Sequence, residues 1–207
     1  AVLSVVLYHA GISMFSGGYV GVDIFFVISG FLITRIIHSE IEDDKFRLIS
    51  FYERRIRRLL PAILTVCIAS ISAGWILLTP DQYSRFGLSV VASSLFVSNI
   101  WFWRNTNGYF DQASEFEPFL HTWSLSVEEQ FYLFFPVFLL LLRRASIKTK
   151  FAILILISFG SLILAQWGLE DQAGATFYLL PTRAWELGIG ALLAIAKLSV
   201  PKSPRVR

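Results

Sequence analysis

Apolar residues fall in seven runs along the chain, at residues 1–14, 20–37, 59–79, 86–103, 123–142, 151–168 and 182–197, separated by short polar or basic links. A hydrocarbon core about 30 Å thick is crossed by about 20 residues of α-helix. The pattern therefore predicts an all-α, polytopic transmembrane helical bundle, and no internal repeat breaks it into copies. The first run is short and opens at residue 1, so it is expected to be truncated there. It has neither a charged leader nor a small-residue cleavage site, so no cleaved signal peptide is expected.

Composition agrees, with 55% of residues hydrophobic and one cysteine, Cys67, which excludes an intrachain disulfide. A net charge of +3 raises the question of nucleic acid, but the basic residues cluster between apolar runs, as the positive-inside rule expects, and no nucleic-acid partner follows. No HExxH, paired CxxC, GxGxxG, Walker loop or GxSxG occurs, so neither a metal site nor a bound cofactor is expected. If every run crosses, lysines and arginines divide nine against nine; if 86–103 is re-entrant they divide 15 against 3. The second arrangement is preferred, with the basic links cytoplasmic and the aromatic, acidic loop at 104–122 outside.

Residues 121–132, HTWSLSVEEQFY, set charged groups where an apolar helix begins. His121, Ser124 and Glu128 share one helical stripe, while Glu129 and Gln130 point elsewhere. A carboxylate in a spanning helix costs about 2.5–3.5 kcal/mol on insertion scales, so Glu128 needs a partner or a task. His9, the only strongly polar side chain of the first run apart from Ser4 and Tyr8, is either an acid–base group or a structural imidazole. Asp23 opens the second run, where the helix dipole favours it as a cap. Residues 38–58 read as a polar link ending in Arg54, Arg55, Arg57 and Arg58. Such guanidinium forks bind phosphate in two-point fashion, as in a phosphorylated donor, or serve as topology signal and lipid contact. Arg183 and Glu186, one helical turn apart, can form an ion pair that acts in a site or only locks packing.

His9, GGYVGVDIFFVISGFLIT, FYERRIRRLLPA, HTWSLSVEEQFY and TRAWELGIG, in this order, resemble the acyltransferase-3 family of integral-membrane acyltransferases, above all its bacterial branch that O-acetylates lipopolysaccharide and other surface glycans. The resemblance runs from about residue 1 to residue 197. It implies a domain of about ten helices of which residues 1–207 are the first two-thirds, a single membrane-embedded acyltransferase domain in the bacterial inner membrane. The arginine usual a few residues before the first-helix histidine is missing. The resemblance further implies His9 as the intramembrane catalytic group. It makes Arg55 and Arg58 a cytoplasmic-side element that contacts the co-substrate acyl-coenzyme A, and it sets Glu128, Arg183 and Glu186 in family patterns. Acyl transfer to a sugar hydroxyl needs a base, a group orienting it, and donors for the oxyanion. His9 can be the base and Glu128 or Asp23 its orienter, with His121 a second acid–base candidate or a loop histidine. Membrane lipids and a glycan or lipid-linked sugar are the expected partners. The rival is a proton-coupled transporter or flippase, since the same residue types build proton relays.

Overall fold

The structure, a computed structural model, describes residues 1–106 and 117–198, and every regular element among them is helical. The helices are α1 (Val2–His9), α2 (Gly21–Glu42), α3 (Leu48–Leu77), α4 (Pro80–Ser94), α5 (Ser98–Asn105), α6 (Thr122–Leu141), α7 (Ile147–Asp171), α8 (Ala173–Tyr178) and α9 (Leu180–Leu198). Five stretches are long and apolar enough to cross a membrane: Gly18–Glu42, Leu48–Leu77, Thr122–Leu141, Ile147–Asp171 and Ala173–Ala196. Their outer faces are hydrocarbon, as in α7, where Leu156, Phe159 and Trp167 are 71%, 59% and 77% exposed. A continuous apolar surface of this kind is stable against lipid and not against water. This is a membrane protein.

Two stretches differ from the sequence expectation. The first run is α-helical only over Val2–His9 and stops before Gly11, whose φ of +72° lies in the left-handed region. The basic link is far shorter than 38–58, because α2 continues to Glu42 and α3 starts at Leu48. The arginine cluster therefore lies on a helix, supported by the i, i+4 pair of Glu53 with Arg57 at 2.7 Å.

The run at 86–103 is not one helix. It breaks at residues 95–97, where Phe96 has a φ of +55°, and polar groups of α6 hold the break. The Ser126 hydroxyl accepts from the Ser98 amide at 3.2 Å, and the Gln130 amide donates to the Phe96 carbonyl at 2.9 Å. Asn99 and Gln130 exchange a second pair of bonds, at 2.8 and 3.3 Å. On the way in, Phe86 packs on Phe119 and Ser93 bonds Thr122. On the way out, Trp103 reaches Gly174 at the start of α8. The hairpin thus enters beside α6 as far as Gln130 and returns. With five crossings, the links at 43–47 and 142–146 and the end of α9 fall on one face. Residues 107–116 of the aromatic loop and the basic tail from 199 lie outside the described residues.

The core sits where α2, α6 and α9 meet, with Phe26, Val127, Leu187 and Ile195 fully buried. Glycines permit the approach: a Cβ on Gly30 would collide with the Leu187 carbonyl, and one on Gly190 with the Val27 carbonyl. Gly188, two residues away and so on the opposite face of α9, lies against Ser158 of α7.

Candidate active site

Asp23 stands in the first turn of α2, but it caps nothing, since the N-cap position is Val20 and no side-chain cap bond forms. Its carboxylate turns to α9 instead. Arg183 and Glu186 project from the first two turns of that helix, and one nitrogen, Arg183 Nη1, donates to Asp23 Oδ1 at 2.9 Å and to Glu186 Oε1 at 2.6 Å. Arg183 Nε donates to the Phe177 carbonyl at 3.1 Å, and the guanidinium lies 5.0 Å from the Phe177 ring centre and 5.7 Å from that of Trp123. Glu186 is fully buried, and its Oε2 has no hydrogen-bond partner among the described residues.

His9 ends α1 and bonds Val5 through Nδ1, at 2.9 Å. A carbonyl can only accept, so Nδ1 carries the hydrogen, and in the neutral ring the lone pair is on Nε2. His9, Tyr19, Asp23, Trp123, Phe177 and Arg183 border one cavity of about 280 Å³. A second cavity, of about 520 Å³, has His9, Phe25, His121, Trp123 and Ser124 in its walls, so His9 and Trp123 divide the two. His121 is exposed on the cavity side but crowded on the protein side. That desolvation holds its pKa below the usual histidine value, a bond to the Pro118 backbone opposes the shift, and neighbouring His9 adds to it.

Glu128 does not border either cavity. It is buried, and its Oε1 accepts hydrogen bonds from Ser29 of α2 and from the hydroxyl of Tyr132, one turn further along α6. Ser29 lies six residues beyond Asp23 on the same helix, so the Glu128 layer is about 9 Å deeper. Of the two carboxylates expected near His9, Asp23 is there and Glu128 is not.

The arginines separate by face. Arg55 makes a two-point bond to Glu129, from Nη2 at 2.6 Å and Nε at 3.4 Å, and its guanidinium carbon stands 3.6 Å above the centre of the Tyr132 ring. It borders a largely apolar cavity of about 550 Å³ that is lined in part by Phe96 at the tip of the hairpin. Arg54 pairs with Glu40 at 2.8 and 3.0 Å and Arg57 with Glu53, both at the surface. Arg58 is exposed and makes no salt bridge among the described residues.

Glu129, expected to point elsewhere, is thus the partner of the most buried arginine of the 54–58 cluster. The doublet Glu128–Glu129 carried that signal, because neighbours on a helix diverge by about 100° and two carboxylates need two partners. Tyr132 and Trp123 carry no signal of their own in the sequence, because their placement depends on α3 and α9.

A family model described as an acyltransferase domain, acyltransferase 3, matches residues 1–207. The chain is 38% identical over 200 residues to a Staphylococcus aureus (strain COL) protein provisionally named an O-acetyltransferase, covering 94% of this chain and 33% of that protein. It is 36% identical over 201 residues to the O-acetyltransferase OatA of Staphylococcus aureus (strain NCTC 8325 / PS 47), covering 94% and 32%. The chain thus spans about a third of the length of these curated relatives. No solved structure matches. With its helical membrane architecture and a family match over its whole length, the chain belongs to the acyltransferase-3 family.

Proposed function

We propose that this chain is the greater part of one membrane-embedded domain, in the inner membrane of a bacterium, that moves an acetyl group from cytoplasmic acyl-coenzyme A to a hydroxyl of a surface or lipid-linked glycan. The observation that carries this reading is the meeting of His9 with the Asp23–Arg183–Glu186 cluster at one cavity. A neutral imidazole with its Nδ1 hydrogen fixed offers Nε2 to the acceptor hydroxyl. As Nε2 takes that proton, the hydroxyl oxygen bonds to the thioester carbon, and the carbonyl oxygen becomes an oxyanion. Arg183 Nη2, with no hydrogen-bond partner among the described residues, is a donor for it. The C–S bond then breaks, and the proton on His9 passes to the departing thiolate. Asp23 holds Arg183 in place and offers the imidazolium a negative neighbour.

Arg55, with Arg58 exposed one turn away, anchors coenzyme phosphate, and the grouping of basic links on one face supports entry of the donor from the cytoplasm. His121 and Ser124, in the wall of the second cavity, face the acceptor.

The test is transfer of label from acetyl-coenzyme A into glycan by membranes carrying the parent or His9→Ala at equal levels of inserted protein. The variant should lose about 10²- to 10⁴-fold, the range of a general base. Parental activity in the variant would remove His9 from the chemistry. Donor-independent movement of an unmodified solute by the parent, with no label in glycan, would favour the transporter.

A further inference from the structure

We propose that Glu128 and Tyr132 are positioning residues for Arg55, so that the signature carboxylate of α6 serves the donor end of the reaction and not the imidazole of His9. The inference rests on the reading of Arg55 as a donor contact. Glu128 is separated from both cavities that His9 borders, and its hydrogen-bond partners among the described residues are Ser29 and Tyr132. Tyr132 is 5% exposed and does two things at once: its hydroxyl donates to Glu128, and its ring carries the Arg55 guanidinium 3.6 Å above the centre. A continuous chain of contacts therefore runs Ser29, Glu128, Tyr132, Arg55, Glu129, and it joins α2, α6 and α3.

Each link has a physical effect on the next. A carboxylate accepting from a phenol draws the O–H dipole towards itself and leaves the ring richer in electrons. The face that a cation meets is then more negative. The same bond fixes the tilt of the ring, and so the plane in which Arg55 can lie. Glu129 fixes the other edge of the guanidinium through Nε and Nη2. What remains is Nη1, without a partner among the described residues, on a side chain that borders the cavity beside the hairpin tip. A guanidinium held on two sides with one nitrogen unspent is oriented for an anionic oxygen before the donor arrives.

The experiment is a double-mutant cycle of Glu128→Gln and Tyr132→Phe in the detergent-purified protein. It reads coenzyme A affinity by equilibrium binding, and kcat and donor KM by transfer of labelled acetyl. Both substitutions keep volume and leave the aromatic face in place, and Ser29→Ala, which trims one bond to Glu128, is a milder third variant. Each single change should weaken coenzyme A binding about 3- to 10-fold, the range of one hydrogen bond. The loss should fall on donor KM more than on kcat. The double variant should bind within about twofold of the singles, since both cut the same link. Additive losses, or a fall in kcat with donor affinity unchanged, would overturn the proposal and return Glu128 to the chemistry of His9. Parental affinity in all the variants would overturn it too, while leaving Arg55 as a donor contact. A parent that binds no coenzyme A would overturn the donor reading and this proposal with it.

Discussion

Arg183 lies 160 residues from Asp23 in the chain and 2.9 Å from its carboxylate in the fold. The bond joins the first turns of α2 and α9, the two helices whose glycines allow backbone to meet backbone deeper down. It is therefore both the upper fastening of the central helix pair and one wall of the cavity that His9 enters. Two carboxylates share a single guanidinium nitrogen there, and one of them is fully buried.

Removing that nitrogen should be costly. Arg183→Ala leaves Glu186 in an apolar interior without its cation, a defect that costs about 3–5 kcal/mol when one member of a buried pair is deleted. Arg183→Met combined with Glu186→Leu removes the charge with its partner and should recover most of the loss, leaving Asp23, 35% exposed at its side chain, to solvent. Thermal unfolding in detergent micelles measures this. A single variant as stable as the parent would show that the ion pair does not hold the helices together.

The glycine contact can be separated from helix propensity. Gly30→Ala sets a Cβ against the Leu187 carbonyl, so α2 and α9 must move apart, at about 1–3 kcal/mol for overpacking. Gly160→Ala, in α7, meets nothing within 4 Å and should be neutral or slightly stabilising, since alanine is the better helix residue. Unfolding of the two variants side by side decides the point: equal stability would mean that the seam between α2 and α9 tolerates a methyl group.

How much of this could be read from the chain follows from the range of the forces. The spanning helices were legible because lipid selects for apolar length, a property of about 20 consecutive residues. His9, Asp23, Arg183 and Glu186 were legible as residue types that a membrane interior admits only with reason. Their meeting was not, because it is set by the pairing of α2 with α9. The break at Phe96 had no glycine or proline to announce it; it is held by Gln130, more than 30 residues away. Glu128 was misdirected for a similar reason. A stripe tells which residues share a face, not which helix covers it, and α2 meets Glu128 with Ser29 rather than with the His9 layer.

Acid should act on His121. Its folded pKa lies below the unfolded value of about 6.5, so below that pH the unfolded chain binds more protons than the folded one. Stability contributed by the neutral ring is complete above pH about 6.5 and falls as pH drops through the folded value. His121→Gln, which cannot be protonated, should flatten the decline in melting temperature between pH about 7 and 5. The same slope in parent and variant would place the acid sensitivity elsewhere.

The hairpin of α4 and α5 makes a geometric prediction. If the run turns back at residues 95–97, its two ends lie on one face of the membrane, and the link at 43–47 lies on the other. Cys67 is the single cysteine and is buried, so Cys67→Ser gives a silent background with little change in volume. In that background Asp81→Cys and Arg104→Cys should react with a membrane-impermeant maleimide from the outer face of intact cells. Asp43→Cys should react only after the membrane is opened. Labelling of Asp81→Cys and Arg104→Cys from opposite faces would make the run a crossing. The chain would then lose the arrangement that gathers its basic links on one side, while the face on which Asp43→Cys reacts would still fix the side of Arg55.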